Sequence, residues 1–224
     1  MPKVSIIIPF YNCPYVSEAI ASALNQTYQE REIIVVNDGS TRFTEKIQTY
    51  LEQIRYIEKS NGGTASALNA GIRLSEGEYI AWLSSDDYFL PDKLEKQLEW
   101  MIKNELKICF SSFYQMNEKS EIIGEPVTLY FQNNEQMERT LKRRNIFNGS
   151  TAIIHKKIFQ EIGYFDESLL YTHDYDFWLR VAQITSIGYL DVPTVLYRIH
   201  EGMGSKKYKP DIRKELQYIR NNSR

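Results

Sequence analysis

The stretch that decides the fold spans residues 4–38, VSIIIPFYNCPYVSEAIASALNQTYQEREIIVVND. Val4 to Phe10 is a continuous run of branched apolar residues, residues 15–24 have helical spacing, and Glu32 to Asn37 is a second branched run. Short apolar runs bounded by turn residues predict buried strands. A strand, a helix and a second strand predict a parallel crossover unit with both faces of the sheet covered.

The same alternation continues through residue 103. Arg55 to Glu58 and Tyr79 to Leu83 are further strand candidates, and helices are predicted near Thr64 to Leu74 and Asp92 to Lys103. We therefore expect an α/β fold with a mainly parallel central sheet flanked by helices, in which residues 1–103 form a Rossmann-like nucleotide half.

The pattern is looser in residues 104–205, which we expect to form a smaller second half of the same domain. The predicted elements there are a strand over 107–116, an irregular loop over Ile122 to Asn134, a helix over Glu135 to Arg144, a strand over 149–157, a short helix and a longer one before 184, and two short strands broken by Pro193. Residues 206–224 read as a basic C-terminal helix or tail.

Composition excludes several classes of protein. A chain of 224 residues with 42% apolar residues can bury a full core, and its net charge of −2 gives no general attraction for nucleic acid. The two cysteines, Cys13 and Cys109, are far apart and suit a reducing compartment. The first apolar run is too short for a signal core or a membrane span. We expect a cytoplasmic protein, with peripheral contact to the inner face of the membrane through the basic tail as an alternative to a solvated helix.

Polar clusters follow each of the first four predicted strands. Ligands bind outside the carboxyl ends of the strands in an open parallel sheet, so these clusters should meet at one edge. The clusters are Tyr11 and Asn12; Asn37, Asp38 and Ser40; Asn61, Gly62 and Gly63; and Ser84, Ser85, Asp86 and Asp87.

The residue types in these clusters point to a nucleotide site with a metal. Tyr11 offers a stacking face, and Asp38 can accept an N–H from a base edge. The glycines after Asn61 allow close backbone approach, and Asp86 and Asp87 offer hard oxygen ligands to Mg²⁺ or Mn²⁺ beside substrate phosphates. Two adjacent carboxylates repel each other unless a positive charge lies near them, which also favours a metal.

Each cluster also has a plainer interpretation. NDGS is an ordinary turn signal, and the aspartates before Pro91 could simply end a strand and prepare the next helix, with Asp92 at its N-terminus. Neither the GxGxxG fingerprint nor the P-loop lysine pattern occurs, so dinucleotide redox and kinase-type functions lose their main support.

Two further groups of residues lie in the second half. Asp174 and Asp176 open a helix in the stretch THDYDFWLRV, either as caps or with Asp174 as a general base over a metal–diphosphate leaving group. In YRIHEGMGSKK, Arg198 and the lysines could neutralise diphosphate charge, and His200 could bind metal or phosphate, although a lone histidine after a strand is more often structural.

Six ordered motifs between Val4 and Ser205 resemble those of the family 2 glycosyltransferases, which have the GT-A fold. The motifs are VSIIIPFYN, IIVVNDGS, NGGTASALNAGI, GEYIAWLSSDD with LPDKL, GYFDESL with THDYDFWLR, and YRIH. The resemblance implies an inverting transfer of a sugar from a nucleotide-sugar, usually a UDP-sugar, to an acceptor hydroxyl. It also implies a divalent metal, Mn²⁺ or Mg²⁺, and a role in polysaccharide or glycoconjugate synthesis.

The resemblance also implies site residues. Residues 1–103 would bind the nucleotide-sugar, and residues 104–205 would bind the acceptor and carry the base. The implied roles are base contact for Pro9 and Tyr11, uracil bonding for Asp38, further donor contact for Asn61, Gly63 and Ser85, metal binding for Asp86 and His200, catalytic base for Asp174, and support from Asp87, His173 and Arg198.

Three positions depart from the family pattern. Ser84 replaces the first acid of the DxD motif, His173 replaces the acid that often precedes the base, and Leu68 replaces an arginine frequent before NAG. The two essential carboxylates, Asp86 and Asp174, remain, so we expect an active enzyme.

Three alternative functions differ from this one in what they require. A nucleotidyltransferase would need a basic glycine-rich loop after the first strand, and a glycoside hydrolase would need two carboxylates on opposite sides of a sugar and no metal. A non-catalytic nucleotide-sugar-binding or scaffold module would bind the donor without turnover. The transferred sugar, the acceptor (a polysaccharide, a lipid-linked sugar or a glycoprotein) and the oligomeric state are left open by the sequence.

Overall fold

A computed structural model describes residues 1–222 of the chain. The strands are β1 (Val4–Phe10), β2 (Arg31–Asp38), β3 (Arg55–Lys59), β4 (Tyr79–Trp82), β5 (Tyr88–Phe89), β6 (Ile108–Met116), β7 (Ile122–Val127), β8 (Ile153–His155) and β9 (Gly188–Arg198). The helices are α1 (Val16–Leu24), α2 (Thr64–Leu74), α3 (Lys93–Lys103), α4 (Asn134–Arg143), α5 (Lys157–Ile162), α6 (His173–Val181), α7 (Gly204–Lys207) and α8 (Lys209–Asn222), with 3₁₀ turns at Thr44–Tyr50 and Gly149–Thr151.

In the described part of the chain the strands form one nine-stranded sheet, in the order β3-β2-β1-β4-β8-β6-β9-β5, with β7 added beside β6. The four N-terminal strands are parallel, whereas β8 runs antiparallel to both β4 and β6. The expected α/β class is therefore confirmed, and the parallel pairing that the sequence predicts belongs mainly to the first half. The sheet continues without interruption past residue 103.

Hydrophobic cores cover both faces of the sheet. Every residue of β1 is buried, and its side chains alternate between the faces, so Ile6 and Ile8 enter one core and Ile7 the other. Helices α1 and α3 cover the face of Ile6, while α2 and α6 cover the face of Ile7. Burial on both faces explains why the strand is apolar at every position except Ser5.

Two glycines shape the loops at the carboxyl edge of the sheet. Gly39 has φ of +75°, and a Cβ atom there would lie 2.9 Å from the backbone nitrogen of Asn61. Gly63 has φ of +86° and precedes α2 directly. Both positions need the left-handed backbone region, which glycine enters without steric cost, and they bring the loops after β2 and β3 together.

Three sequence predictions in the second half were wrong. Residues 122–127 form the edge strand β7 instead of a loop, because an edge strand tolerates Gly124 and Pro126. Pro193 does not divide the following segment: β9 is one strand, and the pairing register with β6 shifts beside this proline. The strand predicted over 149–157 is reduced to β8 by the 3₁₀ turn before it.

The basic C-terminal segment is a helix that packs on the domain. Ile219 of α8 is 2% exposed within the core that contains α2 and α6, and Leu216 packs against the same core. The expectation of a merely solvated helix is therefore wrong for this face, and residues 223 and 224 of that prediction lie outside the described residues. Between residues 1 and 222, no helix is long and apolar enough to cross a bilayer.

Candidate active site

A cavity of about 1000 Å³ opens at the carboxyl ends of the four parallel strands. We call it the first cavity. It gathers residues that lie far apart in sequence, because parallel strands end at the same edge. Its lining includes ten of the residues that the sequence singled out: Pro9, Tyr11, Asp38, Asn61, Gly63, Ser85, Asp86, His173, Asp174 and His200.

The adjacent carboxylates Asp86 and Asp87 point to different surroundings. Asp86 lines the first cavity, and its Oδ2 lies 3.0 Å from Nε2 of His200. Asp87 is 1% exposed and accepts hydrogen bonds from Oγ of Ser150 at 2.5 Å and from the backbone N–H of Arg198 at 3.0 Å. Burial, followed by repulsion from Asp86, raises the pKa of Asp87. Asp87 thus joins the strand-end loop to β9 and does not face the cavity.

Arg198 is also placed beneath the site instead of in it. Its side chain is fully buried, ion-paired with Glu18 at 2.8 Å, and stacked over the ring of Tyr15 at 4.0 Å from the centroid. Its Nε donates to the backbone carbonyl of Asp86 at 2.8 Å. Arg198 does not line the cavity, so direct neutralisation of a diphosphate by this guanidinium is not available in this arrangement.

Asp86 and His200 are suited to hold a divalent metal jointly with a substrate. No group of three or more His, Cys, Asp or Glu side chains within residues 1–222 is arranged to hold a metal ion. Mg²⁺ and related ions commonly take only one or two protein carboxylates and complete their coordination with phosphates and water. The carboxylate and imidazole pair therefore fits such an ion only if the substrate supplies further ligands.

Asp38 organises the loop after β3. Its buried carboxylate accepts from Nζ of Lys59 at 2.7 Å, from the backbone N–H of Gly62 at 3.0 Å, and from that of Gly63 at 2.8 Å. The side-chain amide of Asn61 donates to the Asp38 carbonyl at 2.9 Å. These donors already occupy both carboxylate oxygens, so Asp38 shapes the wall of the cavity, and the predicted contact with a base remains a prediction.

Asp174 lies in the first turn of α6 with a partly buried carboxylate. Its Oδ2 accepts from the amide of Asn145 at 2.8 Å, and Oδ1 accepts from the backbone N–H of Tyr175 at 2.7 Å. Burial raises the pKa of Asp174 above its ordinary value, while the neighbouring His173 and the Asn145 hydrogen bond act in the opposite direction. A carboxylate with a raised pKa is a better proton acceptor than an exposed one.

The wall beside Asp174 is aromatic. The ring of His173 lies 5.7 Å from that of Trp82 and 5.8 Å, edge-on, from that of Phe165. Burial lowers the pKa of His173, so the imidazole is neutral near pH 7. The indole N–H of Trp82 has no hydrogen-bond partner among the described residues.

A second cavity of about 640 Å³ adjoins the first. Residues from β6, β9, α6, α8 and the 145–149 loop line it. The two cavities share a wall, to which Trp82, Ser84, Tyr171, Asp174 and Ile212 contribute. A carboxylate at the junction of two cavities can reach groups bound in either one.

Several site residues escaped the sequence analysis. Asn145 lies in a stretch without a motif, and only the structure places it against Asp174. Arg42 lines the first cavity and stacks over Phe43 at 4.8 Å, in a turn that gives no signal beyond NDGS. Tyr208, from the tail, also lines this cavity. Cys13 lines it too, but burial raises the pKa of the thiol to about 11, so it is neutral.

The family comparison decides the class of the protein. The sequence model described as glycosyl transferase family 2 matches residues 5–163. The chain belongs to glycosyl transferase family 2. Leu68, at the position where the family often has arginine, is fully buried in the core of this family 2 chain and does not reach the cavity.

Curated relatives of this family 2 chain are named as glycosyltransferases. An uncharacterized glycosyltransferase of Rickettsia prowazekii is 42% identical over 205 residues, covering 89% of this chain and 64% of the relative. One from Haemophilus influenzae is 30% identical over 208 residues, covering 83% of this chain and 82% of the relative. The chain therefore spans slightly less than two thirds of the Rickettsia protein.

Solved structures share the fold of the family 2 chain. Crystal structures of S. aureus TarS residues 1–349 in complex with UDP and with UDP-GlcNAc superpose with TM-scores of 0.74 and 0.75, at 22% and 23% identity. The alignments cover 97% and 92% of this chain and 64% and 61% of those chains. The likeness confirms the expected GT-A fold.

Proposed function

We propose that this family 2 chain transfers a sugar from a UDP-sugar to an acceptor hydroxyl with inversion at the anomeric carbon. The position of Asp174 carries the proposal: it lies where the first cavity, with the strand-end residues, meets the second. The structural likeness to TarS in complex with UDP and UDP-GlcNAc supports a uridine nucleotide as the donor.

The proposed reaction uses the two cavities in sequence. The donor occupies the first cavity, and the acceptor reaches Asp174 from the second. Asp174 accepts the proton of the acceptor hydroxyl as its oxygen attacks the anomeric carbon from the side opposite the diphosphate. The C–O bond to the acceptor forms while the bond to the diphosphate breaks, and this single displacement inverts the configuration. Asn145 holds the carboxylate in place.

Asp86 and His200 would hold Mn²⁺ or Mg²⁺ together with the diphosphate oxygens. When bound, the ion supplies positive charge that stabilises the leaving group. The protein side chains bind and orient it. Tyr11, with 56% of its surface exposed at the rim of the first cavity, offers the face on which the uracil ring would lie.

We place the reaction in the synthesis of a polysaccharide or glycoconjugate in the cytoplasm. Transfer to a hydroxyl builds a glycosidic bond, which is the step that such synthesis requires. The scarcity of cysteine, with neither thiol in a disulfide, suits a reducing compartment.

Replacing the base tests the proposal directly. Asp174→Asn should lower turnover by roughly a hundredfold or more, because the amide cannot accept the proton, and should leave UDP affinity nearly unchanged. Release of UDP from a panel of UDP-, GDP- and dTDP-sugars, with mixed sugar acceptors, measures turnover. Asp176→Asn is the matched control, because Asp176 is on the same helix but pairs with Arg180. Near-full turnover in Asp174→Asn, or donor binding without turnover in the parent, would overturn the assignment.

A second experiment tests the metal pair. Asp86→Asn should remove the gain in UDP affinity that Mn²⁺ gives to the parent protein, because one of two protein ligands is weakened. Calorimetric titration with UDP, with and without Mn²⁺, measures this gain. Asp92→Asn, which alters a nearby helix-start carboxylate paired with Lys96, should retain the gain. An equal Mn²⁺ effect in Asp86→Asn and the parent would contradict the role of Asp86.

A further inference from the structure

The second cavity carries two guanidinium groups that have no acidic partner among the described residues. Arg144, at the end of α4, and Arg220, on α8, both line it and are exposed to solvent. Nη2 of Arg220 donates to the backbone carbonyl of Arg143 at 3.3 Å, which holds α8 against the end of α4. The two arginines are thereby brought to one cavity from segments 76 residues apart.

The lining of the second cavity offers these two guanidinium groups little counter-charge. Among its lining residues the one carboxylate is Asp174, which is held by Asn145 and Tyr175. Two like charges at one cavity repel each other, so an anion bound there would be stabilised by both.

Arg220 is also near the residue that follows the proposed base. Arg220 lies near enough to Tyr175 for its charge to oppose the rise that burial causes in the pKa of that phenol. Tyr175 directly follows Asp174 and donates its hydroxyl to the Leu141 carbonyl at 2.9 Å, on α4. The cationic side of the second cavity and the carboxylate therefore belong to one packed unit of α4, α6 and α8.

We infer that the second cavity binds an acceptor that carries a phosphate group, held by Arg144 and Arg220 beside the hydroxyl that Asp174 deprotonates. This rests on the proposed function, because it names the chemistry of the acceptor for the same site. Guanidinium forks match phosphate oxygens. A phosphate monoester carries about two negative charges near pH 7 and so balances two arginines, whereas a carboxylate would balance one. The phosphate belongs either to a soluble sugar phosphate or to a lipid headgroup.

The test uses the UDP-saturated protein and two sources of phosphate. Glucose 6-phosphate and glucose are compared by calorimetry, and phosphatidylcholine vesicles with and without phosphatidic acid are compared by co-sedimentation. We expect one phosphate-bearing probe to bind better than its neutral counterpart. Arg144→Gln and Arg220→Gln should each weaken that binding roughly tenfold, because each removes a charge-assisted contact. The probe that responds identifies the source.

Control variants separate specific binding from general charge. Arg143→Gln removes the same charge one position away on α4, outside the lining, and should leave phosphate binding unchanged. Arg220→Lys keeps the charge and should retain part of the affinity, which excludes a folding defect as the cause. Equal weakening by Arg143→Gln, or no advantage of either phosphate probe over its neutral counterpart, would overturn the inference. UDP affinity and the effect of Asp174→Asn report separately on the proposed function, since neither involves these arginines.

Discussion

At the scale of single residues, the neighbouring carboxylates Asp86 and Asp87 have different surroundings: one lines the first cavity and the other is buried. The backbone turns here, with the Asp87 N–H donating to the Ser84 carbonyl at 3.0 Å, and Asp86 lines the first cavity while Asp87 is buried in the interior. The interior carboxylate is tolerated because Ser150 and the backbone of Arg198 donate to it. The sequence indicated that the two adjacent carboxylates repel each other. The groups that stabilise the buried one come from Ser150 and Arg198, which lie 63 and 111 positions after Asp87 in the sequence.

Asn145 gives a prediction about pH. Its hydrogen bond stabilises the charged form of Asp174 and so lowers a pKa that burial raises. In Asn145→Ala the pKa of Asp174 should rise further, so this proposed base should be protonated up to a higher pH and the acid limb of kcat should move to higher pH. A pH–rate profile measures the limb.

The remote variant Asn104→Ala, which alters the end of α3, should leave this profile in place. An unshifted limb in Asn145→Ala, or one moved to lower pH, would show that Asn145 does not support the charged base.

The residues of the site differ in how well the sequence predicts them. Tyr11, Asp38 and Asp86 lie at or shortly after the carboxyl ends of parallel strands, so the topology of the sheet places them at one edge. Asn145 comes from a segment with no periodic pattern, and its approach to Asp174 depends on how α4 packs on α6. Contacts between distant segments carry no local signal, which is why the sequence does not predict the partners of Asp174.

At the scale of elements, the C-terminal helix α8 holds the segment that precedes the proposed base, Asp174. The Glu215 carboxylate of α8 accepts from the backbone N–H groups of Leu170 at 2.9 Å, Tyr171 at 3.1 Å and Thr172 at 2.9 Å. The hydroxyl of Thr172 donates to it as well, at 2.8 Å. Helix α6 lacks a side-chain cap of its own, so Glu215 satisfies donors at its start.

Glu215→Ala should therefore lower the free energy of unfolding by about 1–3 kcal/mol, because it leaves these N–H donors unpaired. It should also reduce kcat, since the start of α6 positions Asp174. Urea denaturation and UDP release measure the two effects. Asp211→Ala on the same helix removes only an exposed pair with Lys214 and should change stability by less than about 0.5 kcal/mol. Parent-like stability in Glu215→Ala would disprove this role.

Elements of the second half show where sequence patterns fail. Gly124 and Pro126 indicated a loop, and Pro193 indicated a break, yet all three lie in strands. Glycine and proline weaken a central strand but are compatible with an edge or a register shift. Whether a strand is at an edge depends on the completed sheet, so this outcome cannot be read from a local window. The buried runs of β1 and β2 have no such ambiguity.

At the scale of the whole molecule, one sheet joins both halves of the sequence. Strand β8 pairs with β4 on one side and β6 on the other, so Ile153 and Ile154 connect the N-terminal strands to the rest. A fragment of residues 1–103 would expose the edge of β4 and one face of the core around α2. We expect this fragment to show no cooperative unfolding transition, whereas the full chain should unfold in one transition.

Circular dichroism during urea denaturation measures both chains. A fragment of residues 1–205, which keeps every strand of the sheet and loses α8, should retain a transition at lower urea concentration. A cooperative transition in the 1–103 fragment would mean that the nucleotide half folds by itself.

The anchoring of β9 has a consequence for turnover. The Arg198 backbone is bonded to Asp87, its guanidinium is bonded to the Asp86 carbonyl, and His200 follows two residues later. These contacts hold the two proposed metal ligands, Asp86 and His200, close together, so the proposed site is preorganised for the donor. Little conformational entropy is lost in collecting them when the donor binds. In the proposed reaction these contacts would remain after the nucleotide leaves, so each cycle would begin with the ligands already in place.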